Sequence, residues 1–235
     1  MNETVTIPAQ FNGPPGSGNG GYAAGAFAEC LEGAVEVTLR SPPPLGQQMQ
    51  VVREENGLVV RGGETLVGEV RPCTLSLDVP DCPDARAVRT AVRRFVEFKK
   101  DDFQRCFVCG AERAVGDGLC LRTGPIDGSE IVATEWIPHE NFAGTNGLIP
   151  QRILWSALDC PGVWSIIRDT GVIMHLGRLT AVVDNDVVAK TPCTVIGWPM
   201  GRDGRDTYAG TAIYDANVSI PGQAKSVWID IGKQV

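Results

Sequence analysis

Hydrophobic and polar positions alternate along most of the chain, and this pattern predicts short antiparallel strands. In the first part of the chain the alternating segments are Val5–Pro8, Val35–Leu39, Gln48–Val52, Leu58–Arg61 and Thr65–Val70. The segments are separated by short turns such as Glu55-Asn56-Gly57. Alternation with a period of two, interrupted by tight turns, is typical of hairpin-connected strands.

Two segments have apolar residues at helical spacing instead. The first, Gly20–Leu31, is rich in alanine and is followed by Gly33, a residue that commonly ends helices. The second, Pro150–Ile167, begins with a proline that suits the first helical turn. Pro161 lies inside this second segment, so we expect a kink or the end of a helix there.

The order of elements in the first half recurs in the second. The strands predicted there are Leu119–Arg122, Glu130–Trp136, Leu179–Val183, Thr194–Trp198, Thr207–Tyr214 and Lys225–Ile231. Strand, helix and a run of antiparallel strands, occurring twice, predict an α+β fold with two modules in tandem. Each module is an antiparallel sheet wrapped around a central helix. A single module leaves a sheet edge and one side of its helix uncovered, so we expect the two to pair as an intramolecular pseudo-dimer.

A charged segment separates the two modules. From Asp81 to Arg105 apolar residues recur at helical intervals among many charges, which predicts a connecting helix. We therefore assign residues 1–75 to the first module, 76–105 to the connecting helix and linker, and 106–235 to the second module.

Composition and charge exclude several classes of protein. Of the 235 residues, 43% are hydrophobic and 21% are charged, which is ordinary for a globular chain. The net charge is −7 and no block of Lys or Arg is long enough to follow a phosphate backbone, so we expect no binding to nucleic acid. No leader pattern and no apolar run of about 18 residues is present, so we expect a cytoplasmic protein outside the membrane.

Eight cysteines occur in a chain that shows no export signal, and we therefore expect reduced thiols. Cys106 and Cys109 form a Cys-x-x-Cys pair, which is the spacing of half a zinc site. The sequence shows no second half for this site and no nearby histidine. The preferred interpretation is a pair of buried thiols in a packed turn, and we assign no metal ligand.

Three motifs point to one family. Cys106-Phe-Val-Cys109-Gly110, followed by Gly118-Leu119-Cys120-Leu121-Arg122, forms the first motif, and the stretch His139–Asp159 forms the second. From Cys106 to about residue 200 the sequence resembles the PaaI-like branch of the hotdog thioesterase superfamily. The third motif, Asn19-Gly20-Gly21-Tyr22, resembles the helix opening of related acyl-CoA thioesterases. The resemblance implies two hotdog modules and a substrate that is an acyl thioester of CoA or of a carrier protein.

The chain departs from the family pattern in an asymmetric way. In the family an acidic residue follows the His of a His-Gly-Gly helix opening by nine positions. Nine positions before Asp159 the chain has Pro150, so the acid is kept and the opening is lost. Nine positions after Asn19 it has Ala28, so the glycines are kept and the acid is lost.

The resemblance implies a shared site in which one module supplies the helix opening and the other supplies the acid. Here that pairing leaves one complete composite site, Asn19-Gly20-Gly21 with Asp159. We expect the reciprocal site, Pro150-Gln151-Arg152 with Ala28, to be inactive or to serve another purpose.

Thioester hydrolysis places negative charge on the carbonyl oxygen, and the free N–H groups at a helix start can stabilise it. Glycines there allow close approach of the acyl group. A carboxylate among apolar neighbours can act as a nucleophile or as a general base on water. The predicted catalytic residues are Asp159, Gly20 and Asn19, and the predicted substrate-binding residues are Asn12, Gly21, Thr180 and Arg152. No cofactor is expected, since CoA enters as part of the substrate.

Three other interpretations remain open at this stage. Gly16 to Gly21 satisfies Gly-x-Gly-x-x-Gly, but antiparallel hairpins follow it where a dinucleotide fold needs a parallel unit. A hotdog dehydratase would need a histidine near the start of a central helix, and neither His139 nor His175 is placed there. A non-catalytic thioester-binding protein would fit the loss of the second helix opening. The acyl group, the choice between CoA and carrier protein, and pairing of the fused unit into a homodimer are left undecided.

Overall fold

The computed structural model describes residues 3–96, 103–167, 172–184 and 186–230. The first half contains strand β1 (Glu3–Thr6), helix α1 (Gly20–Ala28) and strands β2 (Val35–Leu39), β3 (Gln48–Glu54), β4 (Gly57–Gly62) and β5 (Thr65–Pro72). Helix α2 (Ala85–Val92), strands β6 (Gly124–Pro125) and β7 (Val132–Trp136), and helices α3 (Gln151–Ala157) and α4 (Cys160–Ile167) follow. The chain continues with β8 (Met174–Val183), β9 (Cys193–Asp203), β10 (Asp206–Tyr214) and β11 (Gly222–Asp230).

All these strands form one antiparallel sheet in the order β1-β3-β4-β5-β2-β8-β11-β10-β9-β7-β6. The five strands of the first half stay together, and β2 joins them to β8 of the second half. Val35 pairs with Ala181 and Thr38 with Arg178 along this seam. Each half therefore covers the open sheet edge of the other, and the predicted α+β architecture with two paired modules is confirmed.

Helices α1 and α3 pack against each other across the same seam. Residues 21–28 of α1 are all buried, as expected for a helix that is apolar on every face. Gly25 makes the close approach possible, because a Cβ there would lie 2.7 Å from both Arg152 Cα and Trp155 Cβ. The two central helices thus form the core of the contact between the halves.

The second predicted helix is broken, as expected from its proline. Helix α3 ends at Ala157, and α4 starts at Cys160 with Pro161 in its first turn, where a missing N–H costs nothing. Buried Thr211 of β10 donates its hydroxyl to the Leu158 carbonyl at the break, at 2.8 Å. The break matters because it leaves Asp159 between two helices.

Two sequence predictions are corrected. Leu119–Arg122 is not a strand, because Cys120 takes a left-handed conformation (φ 56°) that extended backbone cannot include. The amides of Leu119 and Leu121 donate instead to the carbonyls of Phe107 and Val108, so this segment packs along the Cys-x-x-Cys turn.

The helix predicted from Asp81 to Arg105 is much shorter, and within the described residues it covers only Ala85–Val92. The Asp84 side chain caps it by accepting from the amides of Arg86 and Ala87. Val88 packs with residues of β7, β9 and β10 in a small cluster separate from the main core. Helix α2 therefore packs on one face of the second half of the sheet and is more than a linker between the two halves.

The predicted module boundaries stay predictions. Residues 97–102 of the linker and Ile231 of the last predicted strand lie outside the described residues. Among the helices of the described part, none has the length and apolar character needed to cross a membrane.

Candidate active site

Asp159 lies at the break between α3 and α4 and reaches the start of α1. Its Oδ2 accepts a hydrogen bond from Asn19 Nδ2 at 2.8 Å and another from the Gly21 amide at 2.9 Å. The carboxyl group is almost fully buried, with 3% of the residue exposed. Residues of the first half therefore hold the acid of the second half, as the composite-site hypothesis requires.

Asn19 holds this arrangement with both groups of its side-chain amide. Its Oδ1 accepts from the Tyr22 amide at 2.9 Å and so caps α1. Because the carbonyl oxygen is used by the helix, the NH₂ group is directed at Asp159. Asn19 is itself buried, so both contacts are shielded from water.

Position 21 needs glycine, because helix α3 and Asp159 of the second half lie too close for a side chain. A Cβ added there would lie 2.5 Å from Asp159 Cβ and 2.7 Å from the Trp155 carbonyl oxygen. The amide of Gly21 donates to the carboxylate, so it is not free for a substrate carbonyl as the sequence suggested. Its place in the site is to hold Asp159.

The second carboxylate oxygen of Asp159 is in a different situation. Oδ1 is buried and has no hydrogen-bond partner among the described residues. Burial raises the pKa of Asp159 to about 7. The hydrogen bonds from Gly21 and Asn19 oppose this rise in pKa, because they favour the ionised form of the carboxyl group.

A cavity of about 360 Å³ opens beside Asp159. Its wall is mainly apolar, and it includes Gly20, Leu176, His175 and Met174 as well as the carboxylate. This volume lies in the range of small-molecule sites, which are largely apolar with a few polar groups. A buried carboxyl with a shifted pKa in such a cavity is a candidate for catalysis.

Gly20 opens α1 at the cavity wall. The amides of Gly21, Tyr22 and Ala23 bind Asp159 Oδ2, Asn19 Oδ1 and the Asn19 carbonyl, respectively. Within the described residues, the Gly20 amide donates no hydrogen bond. It is the helix-start donor that remains available for a carbonyl oxygen.

Three cysteines form part of the same wall. Cys106 and Cys109 come from the turn that follows the linker, and Cys160 directly follows Asp159. All three are buried, and Cys106 Sγ lies 3.9 Å from Cys160 Sγ. Hydrogen bonds from the thiols of Cys109 and Cys160 lower the pKa of Cys106. Sequence reasoning missed Cys160, although its position next to the predicted acid was the available signal.

Two predicted substrate-binding residues are not at the cavity. Asn12 holds the Cys106 turn in place, because its Nδ2 donates to the Arg105 carbonyl at 3.0 Å and its Oδ1 accepts from Arg113. Thr180 lies on β8 between the inward-facing Leu179 and Ala181, so its side chain points to the opposite face of the sheet.

Arg152 is the third predicted substrate-binding residue that does not line the cavity. It lies at the start of α3, in the reciprocal site that the sequence paired with Ala28. Its guanidinium forms a bidentate ion pair with Glu29, with Nε 2.6 Å from Oε1. The position where the family pattern has its acid is occupied here by Ala28, which is fully buried. The neighbouring carboxylate, that of Glu29, is used in the ion pair with Arg152. The reciprocal position is therefore closed by an ion pair, which agrees with the asymmetry expected from the sequence.

No family model matches the sequence, and a search of curated proteins also finds no match. Solved structures, in contrast, match over nearly the whole chain. The tesB protein of Mycobacterium avium subspecies paratuberculosis aligns with a TM-score of 0.63 at 10% identity, over 98% of this chain and 93% of that one.

Two further structures support the same conclusion. A protein of unknown function with a hotdog fold from Alicyclobacillus acidocaldarius has a TM-score of 0.64 at 12% identity, over 98% and 93% of the two chains. Acyl-CoA thioesterase II TesB2 from Mycobacterium marinum has 0.58 at 8% identity, over 93% and 91%. At such identities the likeness concerns the fold and leaves the branch within it a prediction. The chain has the fold of two hotdog modules joined in tandem.

Proposed function

We propose that this protein hydrolyses acyl-CoA thioesters at the composite site formed by Asn19, Gly20, Gly21 and Asp159. One observation carries the proposal. Asp159 Oδ2 is held by two donors from the other half of the molecule, while its buried Oδ1 is unpaired and the residue lines an apolar cavity. The thioesterase named TesB2 with the same fold supports this choice of reaction.

The chemistry follows from the positions of these groups. Asp159 acts as the general base: it takes a proton from a water molecule whose oxygen attacks the thioester carbonyl carbon. The negative charge that develops on the carbonyl oxygen is stabilised by the Gly20 amide at the positive end of α1. When the C–S bond breaks, the thiolate leaves and receives the proton from Asp159. The products are a carboxylic acid and free CoA thiol.

Asn19 and Gly21 act through Asp159. They fix Oδ2, so that Oδ1 is the oxygen that remains for the water. Their hydrogen bonds also favour the ionised carboxyl group, which is the form that a general base needs.

The experiment is an assay of thiol release from a panel of acyl-CoA substrates of different chain length. We expect turnover by the wild type and its loss, by at least about a hundredfold, in Asp159→Asn. Glu29→Gln is the matched control, because Glu29 is the carboxylate of the closed reciprocal position, and it should keep wild-type rates. Binding of acyl-CoA without turnover by the wild type would overturn the proposal and favour a non-catalytic thioester-binding protein.

A further inference from the structure

Three cysteine sulfurs converge beside the carboxylate. Cys106, Cys109 and Cys160 place their sulfur atoms within 4.8 Å of one another. Among the residues that the structure describes, this is the one group of three or more metal-binding side chains of this kind. All three residues are buried and line the cavity, so the cluster is protected from bulk water but can be reached from the cavity.

The distances fit a metal better than a disulfide. Two sulfurs bound to one tetrahedral zinc ion at about 2.3 Å each lie about 3.8 Å apart. Cys106 and Cys160 have their sulfurs 3.9 Å apart, whereas bonded sulfurs are about 2.05 Å apart. An ion could therefore enter without a large shift of either residue.

The turn that carries Cys106 and Cys109 presents both sulfurs to the same side. The Gly110 amide donates to the Cys106 carbonyl at 3.0 Å and closes the turn. A Cβ at position 110 would lie 2.5 Å from the Gln104 carbonyl oxygen and 2.6 Å from that of Cys106, so the turn needs glycine.

The surrounding structure fixes this turn rigidly. The Phe107 amide donates to the Asn12 carbonyl at 2.8 Å, and the Leu119 amide donates to the Phe107 carbonyl at 2.8 Å. Cys160 is held independently, at the start of α4. Two separately anchored elements thus bring the three sulfurs together.

We propose that Cys106, Cys109 and Cys160 bind one zinc ion, with a fourth coordination position directed at the cavity. Cysteine thiolates are zinc ligands, a Cys-x-x-Cys pair has the spacing of many zinc sites, and three protein ligands leave one coordination position open. Binding converts the three thiols to thiolates and releases their protons to solvent. The proposal can be tested separately from thioester hydrolysis, because these three cysteines take no part in the steps of the proposed reaction.

The first experiment measures metal content. Wild-type protein purified without chelator should contain about one equivalent of zinc by mass spectrometry of the metal. Cys106→Ser, Cys109→Ser and Cys160→Ser should each lose most of it. Cys193→Ser is the matched control, because Cys193 is also buried but lies outside the cluster, and it should keep its zinc. A metal-free wild type, or equal loss in the control, would overturn the proposal.

A second measurement uses only wild-type protein, so it stands even if the serine variants fail to fold. Metal-free protein titrated with Co²⁺ should show thiolate-to-cobalt charge-transfer bands and the intense visible bands of tetrahedral cobalt. Zinc should then protect three thiols from alkylation, and peptide mapping should assign them to positions 106, 109 and 160. Absence of the cobalt bands, or protection of other cysteines, contradicts the assignment. Neither readout needs acyl-CoA, so failure of the zinc site and failure of the proposed reaction are distinguishable.

Discussion

Asn19 and Asp159 are 140 positions apart in the chain, yet their side chains share a buried hydrogen bond of 2.8 Å. The bond crosses the seam between the two halves, so it links the helix opening of one to the acid of the other. The same Asn19 side chain caps α1. Folding of this helix and placement of the carboxylate therefore depend on one residue, and the two roles can be separated by mutation.

Asn19→Asp should keep the cap and damage the site. An aspartate oxygen can still accept from the Tyr22 amide, but it cannot donate to Asp159 and it places a second negative charge beside it. We expect thiol release to fall at least about tenfold. Asn19→Ala loses both the cap and the donor, so it should also lower stability by about 1 kcal/mol. Equal stability and activity of the two variants and the wild type would show that the hydrogen bond to Asp159 has no role.

Gly21→Ala should destabilise the protein more than Gly20→Ala. At position 21 the new methyl group would meet backbone, the Trp155 carbonyl oxygen at 2.7 Å, and α3 would have to move. At position 20 the nearest atoms belong to the Leu176 side chain, Cδ2 at 2.8 Å and Cβ at 3.1 Å, and a side chain can give way more easily than backbone. Overpacking of this kind costs about 1–3 kcal/mol. Urea unfolding of both variants gives the comparison, and equal losses would contradict the close contact of α1 with α3.

The buried carboxyl group should make stability depend on pH. Because burial raises the pKa of Asp159 to about 7 in the folded protein, the folded state binds a proton more tightly than the unfolded state. The contribution of Asp159 to the free energy of unfolding is therefore present at acid pH and is lost as the pH rises from about 4 to about 7.

Asp159→Asn removes this dependence while keeping an oxygen for Asn19 and Gly21. In metal-free protein the variant should gain stability relative to wild type as the pH rises through this window. The gain should reach at most roughly 4 kcal/mol, at 1.36 kcal/mol per pKa unit. Urea unfolding at a series of pH values checks this, and a constant difference between the two proteins would rule out the raised pKa.

Thr211→Val should loosen the break between α3 and α4. The substitution removes the donor to the Leu158 carbonyl and leaves this buried group unpaired, at a cost of about 1–3 kcal/mol. Thr180→Val is the matched control, because its side chain lies on the opposite face of the sheet, and it should change stability by less than about 0.5 kcal/mol. Thermal unfolding measures both, and a similar effect of the two would argue against the role of Thr211.

Most of the fold could be predicted from local sequence patterns. Alternation predicted β2 with its observed limits and most other strands to within a few residues, because each strand has one face toward the core. Pro161 correctly marked the end of a helical segment. The Leu119–Arg122 strand failed because the left-handed conformation of Cys120 depends on packing against the Cys-x-x-Cys turn, which periodicity does not report.

The site was accessible only in part. The count of nine positions paired Asp159 with the opening of α1, and the structure brings them together. The partner of the Gly21 amide, the outward direction of Thr180 and the ion pair of Arg152 with Glu29 are set by contacts between distant segments. Cys160 was missed for the same reason, because more than 50 residues separate it from the turn whose sulfurs it meets.

The most direct test of the account is the rate of thiol release from acyl-CoA by wild type and by Asp159→Asn, measured with acyl-CoA affinity for both. A general base contributes about 10²–10⁴-fold, so the variant should bind acyl-CoA with similar affinity and hydrolyse it at least about a hundredfold more slowly. Hydrolysis by the variant at the wild-type rate would show that the carboxylate held by Asn19 and Gly21 does not carry the reaction.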